Sequence, residues 1–420
     1  SVVLETRLAA DASAPSEPAG DYAASDIDYK SFSGFNLTGV GTAANYTAVA
    51  ATQNINLNAL NIQAKNITLI ANSGDVNVNV PIVKSYINRG LNGGSLSLLA
   101  SGDINLNAAS ANQGVSIGKR IGTKTNGDPY VDYFNHDLRL VASNNIKVEG
   151  SIYITGNLSL RADAAASEIV ATGAVKAAGN GSGGVSLVNP STLYPLEVRA
   201  QNLIVGEIDG GNRYGVEFLT LGAGSGTAAA GANLRLDSIL RAGIPTVDTL
   251  TETSATVTGG NVSIVLNGNL SLSGGTINAT STGAGNQVRN SAISGILGTD
   301  ITICPTVGCN TALTYNAANS VKLKAGSASA NNTAGGGAVA AADAVILASN
   351  FKRMNIGGDL LLIGGTANAT GSAQPSATAL IDPLQDLVIR TACSRLYQAG
   401  VLRDPLPPSA VRPRNLLQRE

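Results

Sequence analysis

ITLIANSGDVNVN at 67–79 is answered by LSLLASGDINLN at 96–107 and by LRLVASNNIKVE at 138–149. Each copy is a run of alternating apolar and small polar residues, a turn of two or three residues, and a second alternating run. A period of two marks a strand with one buried face. Units of strand, turn and strand that recur without an intervening helix predict an all-β solenoid whose units stack on one another.

The same apolar-x-apolar triplet extends outward from these copies, in Ile55-Asn56-Leu57, Leu158-Ser159-Leu160, Val185-Ser186-Leu187, Leu270-Ser271-Leu272 and Val321-Lys322-Leu323. Spacing is uneven: 29 residues separate Leu69 from Leu98, and 42 separate Leu98 from Leu140. Units of roughly 20–25 residues with loops inserted at about 80–94 and 110–136 account for this. Residues 51–382 are therefore expected to form the repetitive body. Residues 1–50, with the Pro/Ala/Ser-rich DASAPSEPAGD, form an N-terminal arm and cap. In 383–420, the spacing of Leu387, Val388, Ala392, Leu396 and Tyr397 predicts a short helix capping the body, followed by a Pro/Arg-rich tail.

Composition agrees with a thin, stacked body. Charged residues are only 13% of the 420, aromatic residues 4%, Trp is absent, and 49 glycines join abundant Asn, Ser, Thr and Ala. A wide globular core recruits more large side chains than this. The formal net charge of −1 gives no electrostatic reason to bind nucleic acid. No apolar run approaches the length of a transmembrane helix.

Few residues carry chemistry. In ICPTVGC, Pro305 and Gly308 permit a tight reversal, so Cys304 and Cys309 are read as a disulfide in preference to two thiols or half a metal site. Cys393 is left as a free thiol or an intermolecular crosslink. Asp75, Asp103, Asp209, Asp300 and Asp359 are dispersed and are read as turn formers. The densest constellation is DYFNHD, with Asp132, Tyr133, His136 and Asp137. A carbohydrate-active enzyme on this scaffold would have to use Asp132, His136 and Asp137 as its acid/base set. GNGSGG at 179–184 lacks the Lys-Ser/Thr of a phosphate loop. We assign no residue to catalysis, to a cofactor or to a metal. Asn-x-Ser/Thr triplets at Asn36, Asn66, Asn157, Asn269 and Asn368 are explained by composition, and stacked Asn side chains are expected to bond from one unit to the next.

The repeated apolar-apolar-Ala-Ser-Gly-Asp texture, with Leu-Ser-Leu strands and Gly/Asn/Ser turns over about 50–370, resembles the filamentous-haemagglutinin-like exoproteins of bacterial two-partner secretion. The resemblance implies a single-stranded right-handed parallel β-helix, export through an outer-membrane partner, an extracellular or cell-surface location, and a role in adhesion, biofilm or contact-dependent toxicity. The Asn-Pro-Asn-Gly and Asn-Pro-Asn-Leu signatures of that family's secretion domain are not in this chain. The leading expectation is a secreted structural or adhesive protein, without enzymatic activity, that self-associates head to tail into a fibre and meets host or matrix glycans. A receptor-binding spike module of the phage type is the other non-enzymatic alternative, and it predicts closed trimers.

Overall fold

The computed structural model describes residues 19–23, 27–29, 45–50, 54–57, 66–82, 94–108, 114–123, 129–170, 181–245, 257–258, 260–283, 287–332, 336–383, 386–391 and 396–399. Apart from the short helical turn Ala166–Val170, their regular structure is strand, paired mostly in parallel sheets with three antiparallel hairpins. The chain divides into two compact units: Ser1–Ser186 with Val198–Phe218 and Gly243–Gly260, and Leu187–Glu197 with Leu219–Ala242 and Asn261–Glu420.

In the first unit the three quoted copies lie on one another in register. Ile67, Leu96 and Leu138 are successive partners, as are Leu69, Leu98 and Leu140, and Leu158 and Leu160 follow. The strand Ala19–Ala23 begins this ladder beside Asn45–Ala50, so the end of the Pro/Ala/Ser-rich stretch is paired β-structure. A second ladder runs through Ile27–Tyr29, Ile55–Leu57, Val76–Val78, Ile104–Leu106 and Ile146–Val148. From Ile55 onward the apolar members of these triplets are fully buried, and the middle residues are partly exposed, as the alternation requires. Equivalent positions are 21, 28 and 42 residues apart, so loops of different length are accommodated without loss of register.

A third column explains the second apolar residue of each copy. Ile70, Leu99 and Val141 are register partners pointing away from the Ile67 and Leu69 side, yet all are buried. Ile169 packs over them from the short helical turn Ala166–Val170.

The second unit is built differently. Ser238–Ala242, Ser294–Cys304, Ala344–Ile356 and Ala379–Pro383 form one parallel ladder. Leu270, Val321, Leu360 and Leu396 stand in register in another. Successive equivalents are here 51 and 39 residues apart, correcting the expected 20–25-residue unit. The extra length makes two four-stranded parallel side sheets. One contains Gly226–Thr227, Thr276–Ser281, Ser327–Asn332 and Thr366–Thr370; the other contains Leu234–Arg235, Gln287–Ser291, Gly337–Ala341 and Gln374–Ser376. Their shared core is mostly alanine: Ala279, Ala328, Ala330, Ala338, Ala340 and Ala342 around Ile277 and Val288.

The expected C-terminal helical cap is also corrected. Asp386–Thr391 and Leu396–Ala399 are strands, pairing in parallel with residues 351–356 and with Leu360–Ile363. An available sheet edge offers DLVIRT a complete backbone ladder, and its Val-Ile-Arg-Thr run suits a strand. The tail 403–420 and Cys393 lie outside the described residues.

Candidate functional site

The repeated Asp and Asn before each triplet act on the next turn. Asp75 N–H donates to Asn54 Oδ1 at 2.7 Å, Asp103 N–H to Asp75 Oδ1 at 2.8 Å, Asn145 N–H to Asp103 Oδ1 at 3.0 Å, and Gly184 N–H to Asn145 Oδ1 at 3.2 Å. Asn107 donates its side-chain amide to Asn79 at 2.7 Å, and a parallel ladder joins Asn56, Asn77 and Asn105 at 2.9 and 2.8 Å. The second unit repeats the device: Asp237 Oδ1 accepts from Ile293 N–H and Asp343 Oδ1 from Thr378 N–H. These side chains supply the acceptors that turn amides would otherwise lack.

The Asn ladder ends at Lys147, which occupies the Asn105 column and donates Nζ to Asp103 Oδ2 at 2.6 Å. Burial alone would raise the Asp103 carboxyl, but the bonds from Lys147 and the Asn145 amide hold it below its ordinary value; the Asp103 bond raises Lys147. A lowered carboxylate contributes stability above about pH 3.9, the unfolded value, and loses it as pH falls through the folded one. The raised lysine contributes below about 10.4 and loses its share as pH rises through its folded value. Lys147 is half exposed, which limits the charge pair to roughly 0.5 kcal/mol. Asp103→Ala, which also strands the Asn145 amide, is expected to cost about 1–2 kcal/mol in urea melts. Asp103→Asn keeps an acceptor, so it costs less and flattens the acid limb of a stability–pH profile; equal losses from both variants would refute the ladder's role.

The DYFNHD constellation comes apart. His136 is 1% exposed, its ring stacked on Phe134 at 4.6 Å, and its Nδ1 lies 2.5 Å from the Asn135 carbonyl, which makes that nitrogen a donor. Asp137 Oδ1 accepts from the Asn157 amide at 2.7 Å, in the same turn-to-turn manner. Asp132 is exposed on the hairpin of Lys119–Thr123 and Pro129–Asp132. Tyr133 meets Tyr153 edge to face. Among the described residues no three His, Cys, Asp or Glu side chains gather as a metal would require.

Gly181, Ser182 and Gly183 of GNGSGG do bind a carboxylate, but an internal one. Asp163, held at φ 59°, accepts the Gly181 amide on both carboxylate oxygens at 3.1 Å, with Ser182 and Gly183 N–H at 3.4 Å. Successive amides form an anion-binding concavity, and this one holds its own chain's carboxylate.

Two buried charge clusters were not legible in the sequence. Arg161, 1% exposed, bonds Glu168 at 2.8 and 2.7 Å and Glu207 at 2.7 Å, with Tyr214's ring 4.2 Å from its guanidinium carbon; Arg139 lies 3.6 Å from both acids. Glu168 belongs to the helical turn, while Glu207 and Tyr214 face each other across the hairpin whose turn is Gly210-Gly211. In the second unit Arg235 bonds Asp237 at 2.7 Å and Glu197 at 3.2 Å. In each cluster cation and carboxylate are engaged with one another.

Cys304 and Cys309 are joined, with Cα atoms 5.0 Å apart. Asn355, itself buried, donates to the Gly308 and Thr311 carbonyls, and Arg353 donates to Asn310, so the bridged loop is anchored from an adjacent strand. No protein-family model matches this chain, and neither a curated protein nor a solved structure does.

Proposed function

We propose that the chain is a secreted structural or adhesive protein of the filamentous-haemagglutinin-like kind. In this reading the parallel ladders belong to a right-handed β-helix, and the protein works as a stacked surface rather than by catalysis. The observation that carries it is the use made of polar groups: Asn54, Asp75, Asp103 and Asn145 each accept from the following turn. A scaffold that commits these acids to stacking, and pairs Arg161 and Arg235 with neighbouring carboxylates, favours shape over chemistry.

Head-to-tail joining of copies extends the same stacking across molecules and yields an open fibre. Export through an outer-membrane partner, a bacterial cell-surface location and contact with host or matrix glycans complete the proposal. Sedimentation velocity and negative-stain microscopy of the full chain, and of variants lacking residues 1–18 or 403–420, test it. Concentration-dependent fibres from the full chain that are lost on truncation are expected. Monodisperse monomers from every form would refute the assembly.

A further inference from the structure

We propose that the strand Thr366–Thr370 is a self-complementary edge through which two copies of this chain pair antiparallel about a two-fold axis. Among the described residues it is the terminal strand of its four-stranded sheet, and Thr366, Asn368, Ala369 and Thr370 are exposed. Its sequence, Thr-Ala-Asn-Ala-Thr, reads the same in both directions.

Backbone direction turns that palindrome into a contact. Thr366 N–H donates to Gly326 O at 3.1 Å, toward the preceding strand Ser327–Asn332. In a parallel ladder alternate residues direct both backbone groups to the same side. Asn368 and Thr370 therefore also face inward, and Ala367 and Ala369 carry the N–H and C=O groups of the open side. Antiparallel pairing centred on Asn368 sets Ala367 opposite Ala369 of the second copy, and Ala369 opposite its Ala367. Both become exchanged hydrogen-bonded pairs, satisfying every outward group. Donors and acceptors are thus complementary under two-fold reversal, and no charged side chain lies on the strip. Such isologous contacts are the commonest symmetric interface.

The adjoining sheet shows the opposite treatment. Ser376 O accepts Ala342 N–H, so Ser376 faces inward and its neighbour Pro375 faces the open side. Proline supplies no N–H there, a standard way of blunting an edge. One edge is guarded and the other left able to pair. Head-to-tail stacking would continue from this same free edge, so the two contacts are alternatives there, and the two-fold pairing does not depend on the fibre.

Ala369→Pro tests the proposal because the lost N–H is unused within its own sheet. Sedimentation equilibrium is expected to show the association constant falling about tenfold or more, from loss of two intermolecular hydrogen bonds, with the melting temperature unchanged. A second test uses Asn368→Cys with Cys393→Ser in the full chain. Non-hydrogen-bonded antiparallel partners lie about 4.5 Å apart at Cα, within disulfide reach. Air oxidation should give a covalent dimer through residue 368, while Thr366→Cys with Cys393→Ser gives little. A monomeric wild type, an unaltered association constant in Ala369→Pro, equal crosslinking at both positions, or a heterologous partner bound at this edge instead would each overturn the proposal.

Discussion

Arg161→Ala is expected to lower the stability of the protein by about 3–5 kcal/mol, measured as a fall in the urea midpoint followed by circular dichroism. The cost arises from what is left behind. Glu168 and Glu207 are 6% and 12% exposed, and each bonds Arg161 at 2.7 Å. Without the guanidinium two carboxylates face each other out of water, and Arg139, one-third exposed and 3.6 Å away, reaches them less closely. Arg161→Lys should fail to rescue, since a single ammonium cannot fork to two acids and also lie flat on Tyr214. Replacing the set together, as Arg161→Met with Glu168→Gln and Glu207→Gln, should recover most of the loss, because removing a whole buried ion cluster is often nearly neutral. A single-variant loss below about 1 kcal/mol would place the cluster with ordinary surface pairs.

That cluster also lies beyond what the sequence pattern reveals. Arg161 is the register partner of Val141 and so continues the column Ile70, Leu99, Val141. The doubled apolar residues Leu69-Ile70 and Leu98-Leu99 signal that both faces are covered, but alternation within a strand does not identify the cover. Here it is Ile169 and Glu168 of a five-residue helical turn that has no periodicity to detect. The in-register triplets were legible because each carries its own period-two pattern. The bonds between turns were visible only as an expectation of stacked Asn, since the partner of Asp103 is 42 residues away and that of Asp75 is 28. DLVIRTACSRLYQ misled for a different reason: short apolar runs satisfy helical and strand spacing equally, and a neighbouring edge decided between them. The side sheets are not legible because SASANN, GAVAA and TANAT are poor in the usual strand formers.

Those alanine-rich sheets are permitted by glycine, which gives the second large effect. Gly224, Gly275, Gly326 and Gly365 stand in a column in which a Cβ on any of the last three would overlap the carbonyl oxygen of the glycine before it. The carbonyls cannot give way cheaply. Gly275 O accepts Ser327 N–H at 2.9 Å, Gly326 O accepts Thr366 N–H, and Gly326 N–H itself donates to Ala342 O at 2.7 Å. Gly326→Ala must therefore separate the strands or break these bonds, at about 3–5 kcal/mol from overpacking and stranded polar groups together. A core of Ala328, Ala330, Ala338 and Ala340 has no long side chains to refill the gap that opens. Hydrogen exchange should rise first in Thr276–Ser281 and Ser327–Asn332, ahead of the global melt. Gly337→Ala is the control, because its Cβ would lie 3.4 Å from the flexible Gln287 side chain, an ordinary contact. It should change stability by no more than about 0.5 kcal/mol. If Gly326→Ala melted alongside Gly337→Ala, close backbone approach would not be what fixes the spacing of these sheets, and their alanine core would have to account for it alone.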